Sequence, residues 1–386
     1  MTKKRVAILG STGSVGTQAL EVAAGHPDKL HVECLAAGRN IDLLAEQVER
    51  WHPAIVSLGT EQDAAELRNR LPSGATRVIW GEEGLREITL NDNVDTVLNA
   101  VVGAAGLKVT YEAVTAGKQV ALANKESLVM AGGLIMQAAR THGAHVLPVD
   151  SEPNALHQCL NGERVANVRR LILTASGGPF RNWPRERLAD VTPEDALNHP
   201  TWKMGKRISI DSATLMNKGF EIIETYWLFG VSLDAIEVVV HPQSAVHSLV
   251  EFSDGSLVAQ VGPTDMRIPI QYTLSYPERW SSVVEHLDVP TSAPWEFEPA
   301  DTDRFVALDL ARQAIQAGGT APAVLNAADE VAVEAFLRQD LGFDQITRVV
   351  SEVLEEIPQT GADSIEAICE ADAAARRAAE ARVVKY

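Results

Sequence analysis

The feature that most restricts this chain is Gly10-Ser11-Thr12-Gly13-Ser14-Val15-Gly16, set between an apolar run and a helical pattern. Residues 6–10 predict a strand and residues 17–24 a helix. Glycines at such a junction let the backbone turn tightly and come close to a pyrophosphate. The helix that follows offers unpaired N–H groups and the positive end of its dipole. The spacing is G-x-x-G-x-x-G rather than the commoner G-x-G-x-x-G, so an ordinary glycine-rich strand-to-helix turn is a second reading of the same residues.

A loop of this kind belongs on a parallel sheet, and the surrounding residues supply one. Further short apolar runs lie at 31–37, 55–58, 78–80, 96–102, 119–123 and 145–149, with helical patterns such as 41–50 and 64–70 between them. That alternation predicts βαβ units in a doubly wound α/β domain over residues 1–150. A site for NAD usually ends its second strand on Asp or Glu. Here the stretch is Ala36-Ala37-Gly38-Arg39-Asn40, which has no carboxylate. Arg39 suits a ribose 2′-phosphate and so points to NADP(H), unless it is an ordinary surface cation.

The pattern changes beyond residue 150. Residues 168–175, 236–241, 248–252 and 256–261 read as strands, the last two joined by Ser253-Asp254-Gly255, a hairpin signal. A helix is expected from about 212 to 229, preceded by a strand-like run at 208–210. Residues 179–204 hold Pro179, Trp183, Pro184, Pro193, Pro200 and Trp202, as expected of a surface excursion or a lid. Pro290, Pro294 and Pro299 mark a linker. Four amphipathic helices then follow at 305–317, 321–339, 343–357 and 364–383.

Net charge is −18, which disfavours nonspecific attraction to nucleic acid or anionic membrane but leaves room for a local basic pocket. Cys34, Cys159 and Cys369 are far apart and match no metal spacing, as small hydrophobes in a reducing compartment would. The basic start Met1-Thr2-Lys3-Lys4-Arg5 leads into an apolar run too short for a signal peptide, and no run suits a membrane helix. A cytoplasmic protein is therefore expected.

Several polar clusters sit where predicted strands end. Val149-Asp150-Ser151-Glu152-Pro153-Asn154 places two carboxylates two residues apart, which share a face if the chain is extended. A hard divalent cation between them is one reading; a loop Asp followed by a helix-capping Glu is the other. In the run from Asp211 to Glu221, Ser212 is expected near a helix N-terminus, and Asn217 and Glu221 share a helix face beside Lys218. That set suits a phosphorylated substrate chelated to a metal, or equally a capped helix with a solvated face. Ala123-Asn124-Lys125-Glu126-Ser127 and the turn Ser176-Gly177-Gly178 complete the group.

Taken in order, these segments resemble the 1-deoxy-D-xylulose 5-phosphate reductoisomerase family. The matching runs are GSTGSVG (10–16), VGAAGL (102–107), ANKES (123–127), PVDSEPN (148–154), TASGGPF (174–180), HPTWKMG (199–205), IDSATLMNKGFE (210–221), HPQSAVHS (241–248), DMRIPI (265–270) and VLNAADEVAVEAF (324–336). The resemblance implies a homodimer. Each subunit would have a Rossmann-like NADPH domain (1–150) and an α+β catalytic and dimerisation domain (151–285) with a flap near 198–206. A linker (286–302) and an all-α helical bundle (303–386) would follow.

The activity implied is isomerisation and NADPH reduction of 1-deoxy-D-xylulose 5-phosphate to 2-C-methyl-D-erythritol 4-phosphate, in isoprenoid precursor synthesis, with Mg²⁺, Mn²⁺ or Co²⁺. By the same resemblance Asp150, Glu152 and Glu221 hold the metal, and Lys125 and Glu152 handle protons and polar contacts at the reacting carbons. Ser151 binds a substrate hydroxyl; Ser176, Ser212, Asn217 and Lys218 bind the phosphate. His199, Trp202 and Met204 belong to the flap. Thr12, Gly13, Ser14, Val15, Gly38, Arg39, Asn40, Asn124, Glu126 and Gly205 contact NADPH. Pro153, Arg39 and Ile268 depart from the residues common in the family, which are His, Lys and Thr. Semialdehyde and homoserine dehydrogenases share the glycine-rich loop but not the acidic set. A noncatalytic NADP sensor would leave the phosphate residues without a shared purpose.

Overall fold

The computed structural model describes every residue except Met1, Thr2, Ser73, Ala75 and Lys203. Met1 and Thr2 of the basic start and Lys203 of the expected flap therefore lie outside the described residues. The chain divides into two compact units. One comprises Met1–Ser127, Ile135–Asn154 and Asp265–Glu285; the other comprises Leu128–Leu134, Ala155–Thr264 and His286–Tyr386.

The first unit is built on seven strands: β1 (Lys4–Leu9), β2 (Leu30–Ala36), β3 (Ile55–Leu58), β4 (Arg77–Trp80), β5 (Thr96–Asn99), β6 (Gln119–Leu122) and β7 (Val146–Pro148). All pair in parallel in the order β4-β3-β2-β1-β5-β6-β7. The connecting helices are α1 (Ser14–Gly25), α2 (Ile41–Trp51), α3 (Glu61–Arg70), α4 (Gly81–Leu90), α5 (Ala105–Thr115) and α6 (Lys125–His142), and α7 (Ser151–Cys159) follows β7. At the centre, Val6–Leu9 of β1 and all of β5 are buried because helices cover both faces. Strand order reverses between β1 and β5, and ligands bind at such switch points, outside the strand C-termini. This is the Rossmann-like architecture the alternating pattern called for.

The second unit carries a five-stranded sheet of β8 (Val168–Ala175), β9 (Ile236–Val240), β10 (Val246–Phe252), β11 (Leu257–Val261) and β12 (Glu298–Pro299), in the order β11-β10-β8-β9-β12. Only the β8–β9 pair is parallel, and Gly255 turns the β10–β11 hairpin with φ +87°. Its helices are α8 (Pro193–Leu197), α9 (Lys206–Thr214) and α10 (Met216–Phe229). After α11 (Arg267–Ser275) of the first unit come α12 (Val289–Ser292), α13 (Ala307–Ala317), α14 (Ala321–Leu337), α15 (Phe343–Glu356) and α16 (Ile365–Val383). α10 lies on β8 and β9 and packs tightly on α13, where a Cβ at Gly219 would stand 2.9 Å from the Ala311 Cβ. α14 is the buried centre of the bundle, flanked by α13, α15, α16 and α9.

One stretch folds differently from its pattern. Residues 208–210 are not a strand but the middle of α9, and the helix expected from 212 is two helices joined at Leu215. Three residues with apolar ends suit one helical turn as well as a strand. Ser209 and Asp211 are themselves buried, so the run has no polar face to betray its period.

Candidate active site

In the first unit the glycine-rich loop folds for close approach. Gly10 has φ +83°, and a Cβ there would lie 2.5 Å from the Ala100 carbonyl oxygen beyond β5. A Cβ on Gly16 would meet the Gly10 oxygen at 2.2 Å. The loop is thus wedged into the switch point. Ser11 is held from below by Gln47, donating to its Oε1 at 2.7 Å and accepting from its Nε2 at 2.9 Å. Gly13 and Ser14 are exposed, Thr12 and Val15 half-buried, and no side chain caps α1. Its first N–H groups are therefore left for an anion.

At the end of β2, Gly38 and Arg39 are exposed, and the Arg39 side chain has no hydrogen-bond or ion-pair partner among the described residues. Asn40 caps α2, its Oδ1 accepting from Leu43 N–H at 3.2 Å. Asn124 is buried and occupied: it caps α6 through Ser127 N–H at 3.2 Å and donates to the carbonyls of Val101 and Gly103 at 2.7 and 2.8 Å. Glu126 accepts from Asn124 at 3.1 Å. These two residues shape the loop after β5.

Lys125 opens α6 and is 7% exposed; its ammonium pairs with the Asp150 carboxylate. Asp150 follows β7, and Ser151 begins α7, so Asp150 and Glu152 do not alternate along an extended strand. Glu152 lies in the first turn of a helix instead. Ser151 N–H donates to Asp150 Oδ1 at 3.1 Å, and its hydroxyl donates to Glu152 Oε2 at 2.7 Å. One serine thereby fixes both carboxylates. Asn154, which the sequence did not single out, secures the turn by donating to the Pro148 carbonyl at 2.8 Å.

In the second unit the Ser176-Gly177-Gly178 turn caps β8, with φ of +82° and +67° at its glycines. A Cβ on Gly178 would sit 2.8 Å from the Ser212 carbonyl oxygen, so the turn rests directly on the end of α9. Ser212 is therefore in the last turn of α9, not at a helix start as expected. The helix start comes four residues later, at α10, after Leu215 adopts φ +64°. For a residue with a Cβ this conformation costs about 1–3 kcal/mol. It is held because Leu215 is buried in the core with Ile210, Ala213 and Phe220. The sharp joint at Leu215 leaves Ser212 at the end of α9 and puts Asn217 and Lys218 in the first turn of α10.

Glu221, one turn on, is fully buried; it accepts from Asn217 Nδ2 at 2.7 Å and pairs with Lys218. His199 reaches Ser176 Oγ with Nε2 at 2.9 Å, while its Nδ1 accepts from Thr201 and Trp202 N–H at 3.2 and 2.9 Å. The Trp202 ring lies 6.4 Å from that of His247, in the HPQSAVHS run. Met204 is half-buried and Gly205 caps α9. Cys34 is a buried, free thiol. Burial pushes Cys34 up to about 12, which removes it as a nucleophile.

The first unit thus defines the class: a Rossmann-like α/β protein with an open pyrophosphate-type loop at its switch point. Three sequence profiles match the chain. The one described as 1-deoxy-D-xylulose 5-phosphate reductoisomerase covers residues 6–132, that of its C-terminal domain residues 146–229, and a further DXP reductoisomerase C-terminal domain profile residues 261–378. The chain is 50% identical over 374 residues to the 1-deoxy-D-xylulose 5-phosphate reductoisomerase of Chloroherpeton thalassium (97% of each chain) and 51% identical over 379 residues to that of Moorella thermoacetica (98% of each). The Zymomonas mobilis enzyme in complex with NADPH superposes with a TM-score of 0.94 at 42% identity over 99% of both chains. A DOX-P reductoisomerase in complex with NADPH, fosmidomycin and magnesium gives 0.94 at 40% identity over 98% of both. The chain belongs to the 1-deoxy-D-xylulose 5-phosphate reductoisomerase family.

Proposed function

We infer that this chain is an NADP-dependent oxidoreductase that converts 1-deoxy-D-xylulose 5-phosphate to 2-C-methyl-D-erythritol 4-phosphate, a step of isoprenoid precursor synthesis, with NADPH and a divalent cation. Family membership over the whole chain carries the reading.

The residues present fit both groups. For NADPH there is a loop closed to any Cβ at Gly10 and Gly16, an uncapped α1 and an unpaired Arg39. Thr12, Gly13, Ser14 and Val15 would contact the pyrophosphate and Arg39 the 2′-phosphate. Gly38, Asn40, Asn124, Glu126 and Gly205 would line the rest. For the cation there is an all-oxygen donor set, Asp150, Glu152 and Glu221, suited to Mg²⁺, Mn²⁺ or Co²⁺. When bound, the cation supplies Lewis-acid polarisation of substrate oxygens and NADPH supplies the hydride.

The chain's own groups position and shield the substrate. Lys125, paired with Asp150, offers a proton donor to a substrate oxygen. Ser151 orients Glu152 and itself meets a substrate hydroxyl. Ser176, Ser212, Asn217 and Lys218 form the phosphate seat. His199, Trp202 and Met204 belong to the flap over residues 198–206, which excludes water when shut.

We also propose the domain roles set out above: NADPH binding by residues 1–150, catalysis and dimerisation by 151–285, a linker at 286–302 and the bundle at 303–386. The edge strand β11 supports a homodimer, because Leu257, Val258 and Val261 are 56%, 41% and 37% exposed on an open sheet edge. No described helix is long and apolar enough to cross a membrane. The free thiol of Cys34 supports a reducing, cytoplasmic setting.

The test is NADPH oxidation with 1-deoxy-D-xylulose 5-phosphate, with and without Mg²⁺. Turnover that stops with chelator and returns with metal is expected. Full turnover in chelator overturns the reading in favour of a metal-free dehydrogenase.

A further inference from the structure

α9 and α14 meet at a group of charges that the proposed reaction does not use. Arg207, in the first turn of α9, donates to Glu330 Oε1 at 3.1 Å and to Asn326 Oδ1 at 2.9 Å. The same guanidinium lies 3.6 Å from Asp211 and 3.8 Å from Asp329. Arg376 of α16 joins through Glu330 and also binds Asp372 at 2.7 Å. Asp329 is completely buried and Asp211 is 5% exposed. Neither Asp329 oxygen accepts a hydrogen bond from a donor among the described residues, and its carboxyl and that of Asp211 lie against the same Arg207 guanidinium.

Two guanidiniums here stand against four carboxyl groups; Arg376 is taken up by Glu330 and Asp372, and Arg207 makes its hydrogen bonds to Glu330 and Asn326. Two carboxylates facing each other away from water repel; a carboxylic acid facing a carboxylate makes a strong hydrogen bond. We propose that Asp211 and Asp329 share one proton at neutral pH and so clasp α9 to α14. Burial, the charge of Asp211 and that of Glu330 all hold the Asp329 acid well above the usual carboxyl range, against the opposing pull of Arg207. Asp211 is directly followed by Ser212, and the Leu215 joint carries the chain on to Asn217 and Lys218. Both aspartates are thus positioning residues for the phosphate seat, a consequence that rests on the function proposed above.

The test is thermal unfolding of the full chain, without substrate or cofactor, from about pH 6 to about pH 9. A buried acid with a raised folded value binds a proton that the unfolded chain has already lost. Stability therefore falls as pH rises toward that value. Asp329→Asn is the neutral isostere and has no such proton to lose. All other groups titrate alike in both proteins, so the difference isolates the pair. The melting temperature of the variant is expected to gain on the native protein by on the order of a degree per pH unit. Asp211→Asn, which removes the other half, is expected to do the same.

A constant gap across the range overturns the shared proton, as does failure of both variants to fold. The KM for 1-deoxy-D-xylulose 5-phosphate is expected to climb at alkaline pH in the native protein and stay level in Asp329→Asn. Equal KM profiles overturn the positioning role. If the chain turns over no such substrate, the functional reading fails while the unfolding comparison still decides the proton.

Discussion

The imidazole of His199 is clamped at both nitrogens: Nε2 stands 2.9 Å from Ser176 Oγ, and Nδ1 accepts two backbone N–H groups, from Thr201 and Trp202. An Nδ1 that accepts carries no proton, so the ring is neutral with its hydrogen on Nε2, donated to Ser176. Ser176 Oγ also accepts from Gly178 N–H at 3.2 Å, which leaves the serine's own proton for the phosphate it is proposed to bind. Burial holds His199 below the ordinary imidazole value. The turn is therefore intact above that value and weakens as pH falls through and below it, because the unfolded turn takes up the proton first. KM for the phosphorylated substrate is expected to rise on acidification. In His199→Asn, whose side-chain oxygen replaces Nδ1, the acid limb of the KM profile flattens. Loss of the Ser176 bond there costs about 0.5–1.5 kcal/mol in KM. An unchanged acid limb refutes the neutral clamp.

Glu221→Gln is expected to abolish metal-dependent turnover while leaving NADPH affinity intact. It also leaves the Lys218 ammonium, 5% exposed, beside a neutral amide. Breaking a buried pair from one side costs about 3–5 kcal/mol, so the melting temperature falls too. Turnover against metal concentration, with NADPH fluorescence titration alongside, checks both halves. Normal activity at saturating metal refutes the ligand role.

Arg39→Ala is expected to weaken NADPH binding by roughly 1.5–3 kcal/mol, the loss of a charge-assisted contact, and to leave NADH binding unaltered. Arg39 is exposed and unpaired in the free protein, so the melting temperature stays put. Parallel titrations with the two cofactors decide; equal losses remove the 2′-phosphate contact.

Gly178→Ala brings a Cβ within 2.8 Å of the Ser212 oxygen at a residue with φ +67°. The turn has to shift, at a cost of about 1–2 kcal/mol for the left-handed backbone alone. KM for the substrate is expected to rise roughly tenfold, with NADPH affinity unchanged. A variant with native KM shows that the turn does not set the phosphate seat.

The parallel sheet was legible because each strand is marked locally, by a short apolar run closed by Gly, Asn or Pro. The bounds of β3 and β8 match their predicted runs. The carboxylate pair was legible as composition but not as geometry: Ser151 starts a helix where an extended chain was expected, and nothing in Asp-Ser-Glu distinguishes the two. The α9–α10 joint was hidden because its left-handed residue is Leu215, not the glycine that normally announces one. The Arg207–Asp329 group was out of reach altogether. Its partners lie 119 and 123 residues away from Arg207 in the cases of Asn326 and Glu330, and only tertiary packing introduces them.

The Leu215 joint ties the proposed phosphate seat to the interior. A glycine would hold the same bend with the core removed, as a property of the chain itself. A leucine holds it only while its neighbours press on it, so loosening that oily contact would straighten the elbow and scatter the residues of the proposed phosphate seat even with both rods still coiled. Affinity for an anion at the proposed seat would thus be a gauge of how well this part of the molecule is packed.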